Sequence, residues 1–210
     1  MSLINELINQ GYLKTPEIIK AFQNIKREDF LRPGDEPMAE INAPLSIGFS
    51  QTISQPLTVA FMLELLQPRK GDKVLDVGSG SGWTCALLAE IVGEQGKVYG
   101  LERIRELKDF AWENVSKYNF IKKGRVQIFC TDGYQGLPDS APFDKIIVAA
   151  AAREIPKNLL KQLKAGGRLV IPVGQQYQSQ DIVVIEKADK DNYKERRYPG
   201  FIFVPLVKEI

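Results

Sequence analysis

The sequence predicts an α/β protein built on a doubly wound, Rossmann-like, mostly parallel sheet with helices on both faces. Three observations carry this. Short apolar runs, such as residues 74–77 and 146–148, lack the alternation of a half-exposed strand, as expected where both faces of a sheet are covered. Segments of helical periodicity stand between these runs, so strand and helix alternate along the chain. One strand also passes through Gly78, Gly80 and Gly82 directly into an apolar-periodic segment, a strand–turn–helix unit that brings bare backbone N–H groups up to a ligand.

The elements follow in order. The N-terminal segment reads as two short helices. Thr15 is a candidate N-cap with Pro16 at the first helical position, and Ile18, Ile19, Phe22 and Ile25 form an apolar stripe. Residues 32–50, punctuated by Pro33, Gly34, Pro37, Pro44 and Gly48, read as a long irregular connection, a kind that is usually functional. A helix is expected over 57–66. Ser54 before it has two readings, a helix N-cap or a hydroxyl facing an anionic ligand, and both can hold at once.

Strands are expected at 74–77 and 97–102, with a helix over 84–92 between them. A helix over 105–118 and a strand over 126–130 follow, then a strand over 143–150 and a helix over 156–163. Gly166-Gly167 is expected to break that helix before a strand at 168–173. The finish is β-rich: a strand at 181–187, an exposed charged excursion over 188–197, and a last antiparallel strand over 201–207. The expected organisation is a single domain, 1–210, in three stretches. These are N-terminal helices and an acceptor-side loop (1–70), a cofactor-binding core (71–175) and C-terminal strands (176–210).

Composition narrows the chemistry. The chain has 210 residues, enough for a full core. Its 28 Lys+Arg against 26 Asp+Glu leave a net charge of +2, too small and too scattered to suggest a nucleic-acid surface. No apolar run reaches the roughly 20 residues of a spanning helix, and the N-terminus lacks a signal-peptide pattern, so the expectation is a cytoplasmic protein with no membrane partner. Cys85 and Cys130 read as small core residues in a reducing compartment. There is no histidine, which excludes a His-based triad or general base and most catalytic zinc sites. No metal is expected.

The glycine loop identifies the cofactor class. A dinucleotide fingerprint would be Gly-x-Gly-x-x-Gly, but here the spacing is Gly78-x-Gly80-x-Gly82, and Trp83 fills the third dinucleotide position. Asp76 at the strand end would repel a pyrophosphate. S-adenosyl-L-methionine carries a sulfonium and an ammonium and no phosphate, so that carboxylate and the loop, with Ser79, suit it. Glu102 ends the next strand, 26 residues beyond Asp76, near the spacing of a carboxylate that holds ribose hydroxyls. Asp132-Gly133 follows the third strand, where open α/β sheets bind ligands. Asp132 could accept from the adenine amine or shape a turn.

These residues resemble the protein-L-isoaspartate O-methyltransferases over residues 30–207. The segments that carry the likeness are Ile47-Gly48, Gln51-Thr52-Ile53-Ser54-Gln55-Pro56, the glycine loop, Thr131-Asp132-Gly133, Ala141-Pro142-Phe143-Asp144, Gly166-Gly167 with the following strand, and Phe203-Val204-Pro205-Leu206. The resemblance implies the class I S-adenosylmethionine-dependent methyltransferase form of the sheet. It also implies methyl transfer to the free carboxylate of L-isoaspartyl, and D-aspartyl, residues in damaged proteins, with S-adenosyl-L-homocysteine as product. By family role, Thr52, Ile53 and Ser54 line the acceptor site; Ser54, with no base to activate it, is expected to orient the carboxylate by a hydrogen bond. Asp76, Gly78, Ser79, Gly80, Gly82, Glu102, Asp132 and Gly133 hold the cofactor. A monomer is expected. Leu57, Ser50, Thr131 and Arg153 depart from the family pattern, and most of these departures bear on the acceptor side. Two alternatives stay open: a same-fold methyltransferase for a different carboxylate, or a relative that binds the cofactor without catalysis.

The missing histidine agrees with carboxyl methylation. A carboxylate is already ionised at neutral pH and needs no base. Catalysis then rests on alignment and exclusion of water, for which effective molarity contributes on the order of 7–11 kcal/mol.

Overall fold

The computed structural model describes residues 2–176, 178–189 and 192–207. Its centre is a seven-stranded sheet of order β5-β4-β3-β6-β7-β8-β9, formed by Lys73–Val77 (β3), Lys97–Glu102 (β4), Val126–Cys130 (β5), Phe143–Val148 (β6), Leu163–Val173 (β7), Gln180–Lys187 (β8) and Tyr193–Phe201 (β9). Strands β5 to β7 are parallel, and β8 and β9 add antiparallel pairs at one end. From β3 the chain builds outward to β4 and β5, then returns to place β6 on the other side of β3. That reversal is a topological switch point, where open sheets of this kind take ligands at the carboxyl ends of the strands.

Period-two alternation assigns each strand residue to one of two cores. Val74, Val98, Ile147, Val170 and Val184 belong to a larger core. They share it with α1 (Leu3–Asn9), α2 (Pro16–Asn24), α3 (Pro56–Leu66), α4 (Trp83–Val92) and α5 (Arg105–Ser116). Leu75, Val77, Ile146, Leu169 and Val183 point the other way, onto a smaller core closed by Leu159 of α6 (Lys157–Gln162). Helix α4 packs on the sheet, α2 and α5 together, which is why it is apolar nearly all round.

Several expectations are corrected. Residues 32–50 are not wholly irregular, because Leu45–Gly48 (β1) pairs with Gln51–Ile53 (β2) in a small antiparallel hairpin. Its turn residues Phe49 and Ser50 both have positive φ, 54° and 57°, the left-handed pair a tight hairpin requires. The N-cap of α3 is Gln55, with Pro56 at the first turn, so Ser54 lies outside the helix. Thr15 is the N-cap of α2, but its hydroxyl donates to Glu64 at 2.7 Å instead of closing the helix. Gly166 and Gly167 lie inside β7, where no helix remains to be broken. A Cβ on Gly167 would come 2.7 Å from the Lys164 carbonyl, a close approach that marks an irregular strand. The charged stretch expected as a loop supplies β9, whose side chains are mostly exposed. Residues 202–207 form no strand; they are tied to the fold by an isolated bridge between Pro205 and Ala151 and by the Phe203 amide, which donates to Gln180 at 2.7 Å. Cys85 is buried as expected, but Cys130 is exposed, because β5 is the edge of the sheet.

Candidate functional site

A cavity opens at the switch point. Its floor is the end of β3 and the loop after it, and its walls are the ends of β4, β5 and β6, the hairpin strand β2, and residues 204–207.

The loop is held by backbone pairing that the glycines make possible. The Gly78 and Ser79 amides both donate to the Leu101 carbonyl, at 2.8 and 3.0 Å, and the Gly82 amide closes a turn onto Ser79 at 2.7 Å. Gly78, Gly80 and Gly82 all have positive φ. Glu102 braces the loop from β4. One carboxylate oxygen accepts from the Gly80 amide and the other from the Ile104 amide, both at 3.0 Å. Each oxygen can accept a second hydrogen bond, and the group lines the cavity while only 6% exposed.

Asp76 occupies a different place. It shares the face of Val74, so it points beneath α4 and away from the cavity, and it is fully buried. Its Oδ2 accepts from the Cys85 thiol at 3.1 Å, while Oδ1 has no partner among the described residues. Burial pushes its pKa up to about 7, with a further rise from the nearby Glu102 charge that the Cys85 hydrogen bond opposes. Burial and the Asp76 charge push the Cys85 thiol up in turn.

Of the other residues singled out by sequence, Thr52, Ile53, Ser54, Gly78, Ser79, Gly80 and Gly133 line the cavity, whereas Gly82 and Asp132 do not. Gly82 faces α5, where a Cβ would sit 2.9 Å from Val115 and 3.0 Å from the Ala111 carbonyl. Asp132 accepts from the Tyr134 amide at 2.8 Å and shapes the turn that presents Gly133. Thr52 to Ser54 line the same cavity as Glu102, at the end of a hairpin whose Ile47 would be 3.4 Å from a Cβ on Gly80.

Sequence reasoning missed several wall residues. Ala149 and Ala150 follow β6 and were discoverable from the rule that ligands sit at strand ends. Trp83 and Thr84 open α4 immediately after the loop. Val204 to Val207 were expected as the end of a strand, not as a wall of the site. They reach the cavity because the Ala151 amide donates to the Val204 carbonyl and the Leu206 amide to the Ala151 carbonyl, both at 2.8 Å.

The walls suit S-adenosyl-L-methionine. Among the lining residues the charged groups are Glu102 and Arg103, so no cationic cradle for a pyrophosphate is present. Ser79 Oγ and Trp83 Nε1, both buried in the walls, lack hydrogen-bond partners among the described residues. Among those residues no three His, Cys, Asp or Glu side chains are grouped as a metal site would need, and no helix is long and apolar enough to cross a membrane.

Comparison with known proteins agrees with this arrangement. The family profile described as protein-L-isoaspartate(D-aspartate) O-methyltransferase matches residues 1–210. A protein-L-isoaspartate O-methyltransferase of Ignicoccus hospitalis is 44% identical over 207 residues, covering 99% of this chain and 96% of the relative. One from Methanopyrus kandleri is 42% identical over 207 residues, covering 99% and 90%. Among solved structures, a Plasmodium falciparum protein assigned to the same enzyme class, in complex with S-adenosyl-L-homocysteine, superposes with a TM-score of 0.88 at 26% identity, covering 99% of this chain and 97% of that one.

Proposed function

Because the chain belongs to the protein-L-isoaspartate O-methyltransferase family, we propose that this cavity is where it carries out that family's reaction. The reaction is S-adenosylmethionine-dependent methylation of the free carboxylate of isoaspartyl residues in damaged proteins. The observation that carries the assignment is that Glu102, the glycine loop and Thr52, Ile53 and Ser54 all line one cavity.

When bound, S-adenosyl-L-methionine supplies a methyl group activated on a sulfonium. In our reading Gly78, Ser79, Gly80 and Gly133 bring the backbone close to it, and the free lone pairs of Glu102 accept from its ribose hydroxyls. Gly82 acts from behind by seating the loop on α5. Asp76 acts from behind too, as a buried carboxyl whose ionised form favours positive charge in the cavity. Asp132 acts through the turn that places Gly133. Ser54 orients the acceptor carboxylate by a hydrogen bond, and Thr52 and Ile53 flank it. The chain needs no proton acceptor here, since the attacking oxygen is already an anion. Its contribution is alignment and exclusion of water by the apolar wall of Leu101, Ile104 and Leu206. We further propose metal-independent turnover by a cytoplasmic monomer that acts on protein and peptide carboxylates, with neither nucleic acid nor membrane as partner.

The test is transfer of labelled methyl from S-adenosyl-L-methionine to paired peptides that differ only in isoaspartate or aspartate at one position. Incorporation confined to the isoaspartyl peptide, undiminished by EDTA, is expected. Equal labelling of both peptides, or of neither, contradicts the acceptor assignment.

A further inference from the structure

Arg27 is a buried cation, 7% exposed, that forms no ion pair among the described residues. It spends its charge on backbone carbonyls. Nη1 donates to Ala39 at 3.1 Å and Ile41 at 3.0 Å, and Nη2 to Ala43 at 2.8 Å and, more weakly, to Ser54 at 3.4 Å. The first three lie in a segment without helix or sheet, whose carbonyls have few other partners. The fourth belongs to the residue assigned to the acceptor carboxylate. The guanidinium carbon also lies 5.5 Å from the centre of the Trp83 ring, and Phe22 packs edge-on against that ring at 5.6 Å. Trp83 is the first residue of α4 and part of the cavity wall.

A planar fork is suited to this task. It offers donors in fixed directions and stacks on an aromatic face, whereas an ammonium is a compact point charge. Burial pulls the Arg27 pKa down to about 10, which still leaves it charged at neutral pH. Three other charged groups (Lys26, Glu28 and Glu40) line a cleft together with Arg27, and none pairs with it among the described residues.

We infer that Arg27 is a positioning residue for the methyl acceptor, tying residues 39–43 and Ser54 into one strap and anchoring that strap on Trp83. This rests on the reading that the acceptor docks at Thr52 to Ser54. One side chain thereby sets the distance between the acceptor strap and the start of the cofactor helix. It touches neither substrate nor cofactor.

The test uses Arg27→Met, which keeps the apolar stem and removes every donor, and Arg27→Lys, which keeps charge without the fork. Steady-state kinetics with an isoaspartyl peptide are measured at saturating S-adenosyl-L-methionine, beside calorimetric titration with S-adenosyl-L-homocysteine. Arg27→Met is expected to raise the peptide KM tenfold or more and Arg27→Lys by less, with S-adenosyl-L-homocysteine affinity within twofold in both. An unchanged KM in Arg27→Met overturns the inference, and so does cofactor affinity lost in proportion, since that is general loosening. If Arg27→Met does not fold, hydrogen exchange of Arg27→Lys decides. Protection lost over residues 39–55 but kept over 98–102 supports the inference, and uniform loss overturns it. If the wild-type protein fails to methylate the peptide, the functional reading falls, while calorimetry and exchange still judge the strap.

Discussion

Glu102 shows how one side chain serves two purposes. Its oxygens secure the Gly80 and Ile104 amides and still face the cavity. Glu102→Gln keeps the shape but removes the charge and one acceptor. It should weaken S-adenosyl-L-homocysteine binding by about 1.5–3 kcal/mol, the usual worth of hydrogen bonds to a charged group. Calorimetry that finds full affinity removes it from the ribose. Ser54 sits outside α3, so Ser54→Ala should lower turnover on an isoaspartyl peptide with little change in stability, within about 0.5 kcal/mol. Full turnover in both Ser54→Ala and Ser54→Thr would end its catalytic assignment. Asp76 bears on pH. Its folded pKa, about 7, lies above the ordinary 3.8, so the folded chain holds a proton that the unfolded chain releases. The stability this contributes is complete below about pH 4 and is lost as pH rises through about 7, an effect of order a few kcal/mol. Asp76→Asn, which cannot ionise, should flatten that fall in denaturant midpoints measured across pH 4–8. A slope identical to wild type would show that Asp76 does not titrate there.

At the scale of elements, the glycine loop is as much a packing joint as a ligand cradle. Gly82, with φ at 87° and α5 against it, has no room for a Cβ. Gly82→Ala should cost about 2–4 kcal/mol, combining backbone strain with overpacking. An unchanged urea midpoint would show that the joint relaxes freely. The bounds of the strands at 97–102 and 126–130 were readable from sequence and match residue for residue, although only the first is mostly buried and the second is a partly exposed edge. Where sequence and structure part, tertiary context outweighed local signal. Gly166-Gly167 looks like a break, and β7 carries it in a register shift: β7 pairs with β6 at Leu163 and again from Arg168, where pairing with β8 also begins. Strand β9 is polar because it is an edge, and edges are charged for protection against association. Asp76 was read as facing the cofactor because of its place in the motif. Period-two alternation from Val74 would have turned it toward α4.

Across the whole molecule, the site belongs to no single stretch of chain. The loop and Glu102 come from one side of the switch point, Ala149 and Ala150 from the other, the acceptor strap from the N-terminal third, and a final wall from residues 204–207. The sheet order that gathers them also has a consequence in time. Residue 74 pairs with residue 98 on one side and with residue 145 on the other. Closing the second loop, roughly three times as long, costs about 1 kcal/mol more in chain entropy. The glycine loop and its Glu102 brace should therefore assemble while β6 is still finding its place. A refolding chain then passes through a stage with half a cavity, its glycine loop and Glu102 in place before the wall of Ala149 and Ala150 arrives. Pulse-labelled hydrogen exchange should find amides at 98–102 protected before those at 145–148, and simultaneous protection would mean that the two halves condense together.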